Sequence, residues 1–110
     1  MTVSIHVLDL ARGSPVPGIR IELFRIEGEK RALVAHSRTN VDGRNDSPLG
    51  EGLEAGWYEL VFHVGAYLAG AGLASFYDLV PVRFRIDPEG TRYHIPLLLS
   101  PWGYTTYRGS

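Results

Sequence analysis

Two histidines of this sequence lie where side chains could take part in chemistry. His94 precedes Pro96 by two residues in an otherwise strand-like run, and a proline within a strand indicates an edge, a bulge or the end of a ladder. His6 lies in an alternating segment near the start of the chain. Histidine, with an unperturbed pKa of about 6.5, can exchange protons near neutral pH. By spacing alone, a structural or surface role explains either histidine more simply.

Two arginines also differ from the rest. Arg44 follows the tight Asp-Gly turn of "NVDGR", and Arg108 lies among aromatic residues close to the end of the chain. A planar guanidinium with five donors is suited to binding carbonyl or carboxylate groups, although composition alone favours a turn-stabilising or surface role. The arginines that alternate with apolar residues, as on the outer face of a sandwich, are Arg20, Arg25, Arg83 and Arg85.

Several kinds of site are excluded by what the sequence lacks. The chain has no cysteine, so disulfides, thiolate nucleophiles and thiolate metal ligands are all ruled out. It has no H-x-x-x-H pair that would favour zinc and no G-x-S-x-G elbow of a serine hydrolase. The glycines of "GAYLAGAG" do not complete a nucleotide-binding fingerprint. We therefore expect neither a metal nor a cofactor.

Charge and hydropathy limit the partners and the location. The formal net charge is -1 with the basic residues scattered, which argues against nucleic acid and against an anionic membrane surface as partners. The first ten residues alternate without the basic and apolar regions of a secretory signal. No run approaches the roughly 18 apolar residues of a membrane span. These features predict a soluble, cytoplasmic protein.

The length and the hydrophobic pattern predict a single domain, residues 1–110, with an all-β fold. Period-two alternation between turn signals indicates strands, whereas 12–18, rich in proline and glycine, reads as a loop. Residues 65–76 are the only helix candidate and carry three glycines, which predicts a turn or two of helix. The strand segments are 2–10, 19–26, 31–39, 56–64, 81–86 and 91–100. We expect an antiparallel sandwich of seven to eight strands with one short helix.

Alternation also assigns side chains to faces. Three residues of the first strand share one face: Val3, Ile5 and Val7. In the second, Ile19, Ile21 and Leu23 point inward, opposite Arg20, Glu22 and Phe24. In 56–64, Tyr58, Leu60 and Phe62 lie opposite Trp57, Glu59, Val61 and His63. These assignments follow from the two-residue period of a strand.

Five blocks of the sequence together resemble one family. They are "IHVLDLARGSPVPGI", "TNVDGR", "GWYELVFHVGAYL", "DLVPVRFRI" and "YHIPLLLSPWGYTTYRGS". In this order and spacing they resemble the transthyretin-like 5-hydroxyisourate hydrolases over essentially the whole chain. Trp102 stands where a tyrosine is common and Thr105 where a serine is common, and "GSPVPG" replaces a more usual Pro-Ala. None of these departures removes a group that the chemistry would need.

The resemblance implies a site and an assembly. The catalytic residues would be His6, Arg44, His94 and Ser110, and the substrate-binding residues Tyr107, Arg108 and Gly109. It implies a homotetramer, a dimer of dimers, in which the last four residues line a site where two dimers meet. Trp102, Tyr104 and Tyr107 would then be interface or pocket residues; completing the core remains open for some of them.

The resemblance also implies an activity, the hydrolysis of 5-hydroxyisourate to 2-oxo-4-hydroxy-4-carboxy-5-ureidoimidazoline in urate degradation. Such a reaction needs a base for water and a cation for the developing oxyanion. His94 is the slightly favoured base and Arg44 the cation, while the choice between the two histidines stays open. The alternatives are a non-catalytic transthyretin-like carrier of small molecules and a structural or adhesive sandwich domain, for which a monomer is expected.

Overall fold

Eight strands and one short helix make up the computed structural model, which describes residues 1–110. The strands are β1 (Thr2–Asp9), β2 (Ser14–Pro15), β3 (Arg20–Glu27), β4 (Lys30–Arg38), β5 (Gly56–His63), β6 (Leu79–Ile86), β7 (Arg92–Ser100) and β8 (Gly103–Thr106). The helix α1 (Val64–Gly70) follows β5 directly. The predicted all-β sandwich of seven to eight strands with one short helix is confirmed. The helix α1 has seven residues and lacks the length of a membrane span.

The strands form two four-stranded sheets, ordered β2-β1-β7-β8 and β4-β3-β5-β6. All pairings are antiparallel except one, since β1 and β7 run parallel over their whole length. This pair is the one departure from the predicted antiparallel sandwich. Turn signals give the relative direction of strands that follow each other in the chain. The direction of β1 against β7 depends instead on a connection that passes through the entire second sheet.

The core lies between the sheets and follows the predicted faces. Val3, Ile5 and Val7 are fully buried, as are Ile19, Ile21, Leu23, Tyr58, Leu60 and Phe62. Strand β7 contributes the alternate residues Tyr93, Ile95, Leu97 and Leu99. Burying an aliphatic or aromatic side chain of this size stabilises a fold by about 1.5–3 kcal/mol. The opposite side chains of β1 and β7 therefore face outward.

Phe24 departs from the predicted burial. It pairs with Glu59 on the outer face of its sheet, as predicted, yet it is only 9% exposed. The Arg31 guanidinium carbon lies 4.1 Å from the centre of the Phe24 ring, and the same guanidinium contacts Glu59 at 3.5 Å. A cation above an aromatic face is attracted to it, so Arg31 covers a ring that alternation alone assigns to solvent.

The helix begins one residue earlier than the predicted segment 65–76 and ends six residues earlier. Its end is set by Gly72, whose φ of +72° suits glycine. The Leu73 N–H donates to the Leu68 carbonyl and the Gly72 N–H to the Ala69 carbonyl. This is the pattern of a glycine-terminated helix. The two shortest strands, β2 and β8, fall outside the predicted strand segments, because they are too short to show a period.

Candidate active site

The parallel pairing of β1 and β7 brings polar side chains together on the outer face of the first sheet. Ser4 lies opposite His94, and His6 lies opposite Pro96. Paired residues of a parallel ladder project to the same side, and their sequence neighbours point into the core. Two histidines that are 88 positions apart in the sequence thus lie on adjacent strands of one face.

Arg44 is held beside β1 by a turn that is stabilised by hydrogen bonds within the turn. The Asn40 side-chain oxygen accepts hydrogen bonds from the N–H groups of Asp42 (2.9 Å) and Arg44 (3.1 Å). Gly43 has a φ of +73°, and a Cβ there would collide with the Val7 carbonyl oxygen. The Val7 N–H donates to the Gly43 carbonyl at 2.8 Å. Gly43 of the "NVDGR" motif therefore needs to be glycine for two reasons, its positive φ and its close approach to the backbone of Val7.

His6 is attached to the same turn through its ring. Its Nε2 lies 3.0 Å from the backbone carbonyl oxygen of Asp42. A carbonyl oxygen only accepts, so Nε2 must carry the proton and Nδ1 carries the lone pair of the neutral ring. Burial and the neighbouring Arg44 guanidinium lower the pKa of His6 below its usual 6.5, against a smaller opposing effect of Asp42. His6 is therefore neutral at pH 7 with a defined tautomer.

His94 is bound to the protein through its other nitrogen. Its Nδ1 shares a hydrogen bond of 2.8 Å with the Ser4 hydroxyl, while Nε2 makes no hydrogen bond with the protein. Burial lowers the pKa of His94 from 6.5, and the charges of Arg44 and His6 lower it further. His94 is thus a neutral imidazole at pH 7 with one nitrogen unoccupied.

The last residues of the chain lie against His94. The Gly109 N–H donates to the His94 carbonyl at 2.6 Å, and a Cβ on Gly109 would lie 2.6 Å from His94 Cδ2. The Thr106 hydroxyl donates to the Pro96 carbonyl at 2.8 Å. Pairing of β7 with β8 begins only at Leu97. The proline thus stands just beyond the end of a ladder, one of the three arrangements that its presence predicts.

These groups border a cleft of about 530 Å³ with no hydrophobic lining residue. Its walls are formed by Ser4, Arg44, Thr91, Arg92, His94, Arg108, Gly109 and Ser110. His6 is not part of this wall, but it pairs by a backbone bridge with Arg44, which is. Three residues of the wall were not predicted: Ser4, Thr91 and Arg92. Ser4 and Arg92 share a face with the two histidines, but this is visible only once the β1–β7 register is known.

Two of the predicted substrate-binding residues are less central to the cleft than expected: Arg108 lies at its edge, and Tyr107 lies outside it. The Arg108 guanidinium carbon lies 4.5 Å from the centre of the Tyr93 ring, at the edge of the cleft. Tyr107 lines a neighbouring groove of about 240 Å³ that also includes Val82 and Phe84 of β6. The contact of Tyr107 with a substrate stays a prediction that this geometry does not favour.

The arrangement is suited to one kind of chemistry. Nowhere in the structure do three His, Cys, Asp or Glu side chains converge in a way that could hold a metal ion. The cleft instead combines the imidazole of His94, which can take up a proton, with guanidinium groups that can stabilise negative charge, and the His6 ring belongs to the residue paired with Arg44. The fold and the site define a β-sandwich protein equipped for acid–base chemistry on a small polar molecule.

Comparison with known proteins gives the family. Residues 3–109 match the HIUase/Transthyretin family, and the chain belongs to it. A relative named 5-hydroxyisourate hydrolase 2, from Rhizobium meliloti, is 51% identical, over 98% of this chain and 95% of that protein. The structure of Klebsiella pneumoniae 5-hydroxyisourate hydrolase is 38% identical with a TM-score of 0.84, covering 99% of this chain and 93% of that chain. Sea bream transthyretin in complex with thyroxine has a TM-score of 0.92 at 27% identity, covering 99% and 95%.

Proposed function

We propose that this chain is a 5-hydroxyisourate hydrolase that acts through the cleft on the β1–β7 face. The observation that carries the assignment is geometric: Arg44 pairs with His6 across a backbone bridge and lines the same polar cleft as His94. The relatives with this name match the chain over nearly its whole length. The product is 2-oxo-4-hydroxy-4-carboxy-5-ureidoimidazoline, formed when water adds to a carbonyl carbon of the six-membered ring and the ring C–N bond breaks.

Arg44 binds the substrate and stabilises the oxyanion. A guanidinium donates two parallel hydrogen bonds to a flat, oxygen-rich molecule. As water attacks, negative charge develops on the carbonyl oxygen, and a cation already in place strengthens its interaction in the transition state. The turn that fixes the Arg44 backbone to β1 limits the movement that this interaction would otherwise require.

His94 is the base that accepts the proton of the attacking water. Its Nε2 has no protein partner, and a neutral imidazole at pH 7 can accept a proton. The proton then passes to the ring nitrogen that leaves, so that protons balance over the turnover. His6, whose Nε2 donates to the Asp42 carbonyl, offers Nδ1 to the substrate or relays a proton.

The final residues complete the cleft. Gly109 lets the chain lie against the His94 ring, and in this proposal Ser110, which lines the cleft, orients the water or a histidine. Arg108, held over Tyr93, shapes the wall, whereas Tyr107 lines the neighbouring groove. Removal of 107–110 should lower activity far more than stability, because only Gly109 among these residues bonds to a strand. Equal losses of activity and stability would assign these residues a structural role.

The first test is the ultraviolet decay of freshly generated 5-hydroxyisourate, with and without the purified protein. Acceleration at low protein concentration is expected. His94→Ala and Arg44→Ala should each lower the rate by about a hundredfold or more. His36→Ala is the matched control, because His36 is exposed on β4 and lies outside the cleft. Wild-type turnover in both site variants would contradict the assigned roles.

A carrier function is the alternative, since sea bream transthyretin shares the fold and binds thyroxine. The lining of the cleft argues against it. Carriers of drug-sized ligands use pockets dominated by apolar side chains, whereas none of the eight lining residues here is hydrophobic. Absence of any rate acceleration by folded protein, together with binding of an aromatic ligand, would favour the carrier.

The assembly that we propose is a homotetramer formed as a dimer of dimers. Strand β8 ends its sheet with one unpaired edge. Beside it the exposed rings of Phe76 and Trp102 contact each other at 5.8 Å between centroids. Open edges and exposed aromatic clusters favour association between chains. Light scattering should give the mass of four chains; a fully active monomer would contradict the assembly.

Two further properties stay predictions. A single domain spanning 1–110 should give one cooperative unfolding transition that coincides by fluorescence and circular dichroism. A cytoplasmic location should be visible by fractionation of the producing cells.

A further inference from the structure

Ser4 is the one wall residue of the cleft that bonds directly to a histidine ring. Its hydroxyl oxygen lies 2.8 Å from His94 Nδ1, and the two residues are register partners across β1 and β7. The backbone of both is fixed by the eight-residue parallel ladder between β1 and β7, so the contact does not depend on a loop. Ser4 makes no other side-chain hydrogen bond within the chain. Within the chain, His94 is therefore the only hydrogen-bond partner of this hydroxyl.

We propose that Ser4 is a positioning residue: it holds the His94 ring through Nδ1 so that Nε2 faces the cleft as the base. The proposal rests on the hydrolase function assigned above. When Nδ1–H donates to the Ser4 hydroxyl, the lone pair lies on Nε2. After Nε2 takes the proton of water, Nδ1–H still donates to the same oxygen. One contact thus serves the ring before and after proton transfer.

A hydroxyl differs from the carboxylate that often orients a catalytic histidine. A carboxylate stabilises the imidazolium and raises its pKa, whereas a neutral hydroxyl adds no charge. The charged and titratable groups around His94 are His6 of β1, Arg44 of the turn, Arg92 of its own strand, and Arg108 and Ser110 of the final segment. The effects of Arg44 and His6 lower the His94 pKa. Ser4 orients the ring without opposing them.

Three substitutions separate positioning from other roles. Ser4→Ala removes the hydroxyl and should lower kcat by on the order of tenfold to a hundredfold with KM nearly unchanged, because the base is misaligned. Ser4→Thr keeps a hydroxyl and should restore most of kcat. Ser4→Asp places a carboxylate at Nδ1 and should move the acid limb of the kcat profile to higher pH. Thr2→Ala is the control: Thr2 lies on the same face of β1, outside the cleft, and should leave turnover unchanged.

The outcomes distinguish this proposal from the assigned activity. If wild-type protein fails to accelerate substrate decay, the hydrolase function fails. Nitrogen NMR then still tests the hydrogen bond between Ser4 and His94, by comparing the tautomer of the His94 ring in wild type and in Ser4→Ala. If wild type is active, unchanged kcat in Ser4→Ala overturns the proposal. A raised KM with unchanged kcat also overturns it, by making Ser4 a substrate ligand. Should Ser4→Ala fail to fold, an unshifted pH profile in Ser4→Asp overturns it.

Discussion

Gly109 is the position where a single methyl group should separate activity from stability. A Cβ on this residue would lie 2.6 Å from His94 Cδ2 and 3.3 Å from both His94 Cγ and the His94 carbonyl oxygen. Carbon atoms normally approach to about 3.5–4.0 Å, so in Gly109→Ala the final segment and the His94 ring must separate by about 1 Å. The 2.6 Å hydrogen bond from the Gly109 N–H is then stretched or lost.

The expected effect on stability is small, and the expected effect on rate is large. One backbone hydrogen bond contributes about 0.5–1.5 kcal/mol, and here it lies at the end of the chain outside the core. A misplacement of about 1 Å at a reacting group can cost about a hundredfold in rate. Gly109→Ala should therefore lower kcat by about that factor while the midpoint of thermal unfolding changes by only a few degrees.

The assay pairs initial rates of 5-hydroxyisourate decay with thermal unfolding of the same preparations. Gly70→Ala in α1 is the control, because a Cβ there meets nothing within 4 Å. It should retain the wild-type rate. If Gly109→Ala also turned over at that rate, the final segment would not need its close approach to His94, and the argument from the missing Cβ would be refuted.

The remaining predictions concern charge, a buried bond and a turn. Arg44→Gln removes a cation that lowers the pKa of both site histidines, so histidine NMR titrations should move to higher pH, whereas Arg44→Lys should leave them near wild type. In wild type, His6 and His94 have a lower pKa in the folded state than in the unfolded state, so the unfolded chain binds protons more readily. The free energy of unfolding should therefore fall as the pH drops below 6.5, and the loss should be complete below the pKa of the folded histidines. Tyr67→Phe leaves an oxygen of the buried Asp9 without its 2.6 Å donor and should destabilise by about 1–3 kcal/mol in denaturant titrations; Tyr77→Phe, which loses no hydrogen bond, should not. Gly43→Ala must displace the turn from β1, and should lower both melting temperature and activity; an effect on neither would contradict the close approach.

Local patterns in the sequence were sufficient for most of the fold. Alternation grouped the side chains that share a face in β1 and β5 and predicted the inward face of β3, because a strand with one face on a core has a two-residue period. The Asp-Gly turn and its positive φ at Gly43 were likewise visible in the sequence. Burial of Phe24 was not, since it depends on Arg31, seven positions away along a hairpin.

The candidate site was harder to predict from the residues themselves. Spacing alone gave His6 and His94 no more than an ordinary structural role, and it was the family resemblance that grouped them with Arg44. Ser4 was missed by both routes. Its significance lies in the register Ser4↔His94, a pairing between strands 90 positions apart in the chain. A period can assign a side chain to a face, but it cannot name the residue beside it on the next strand.

That register also explains how one architecture can serve both a thyroxine-binding transthyretin and a hydrolase. The core of the sandwich uses Val3, Ile5 and their neighbours, whereas the cleft uses the residues between them, which face the other way. Side chains on the outer face can change without removing a core contact, because alternate residues of a strand project to opposite sides. The core therefore sets where the face lies, and in the mechanism that we propose Ser4, His6 and His94 set what it does. It follows that Ser4→Ala and His94→Ala should lose activity while their unfolding stays cooperative, whereas Ile5→Ala should lower stability by about 2–5 kcal/mol and reduce activity only as the fold is lost.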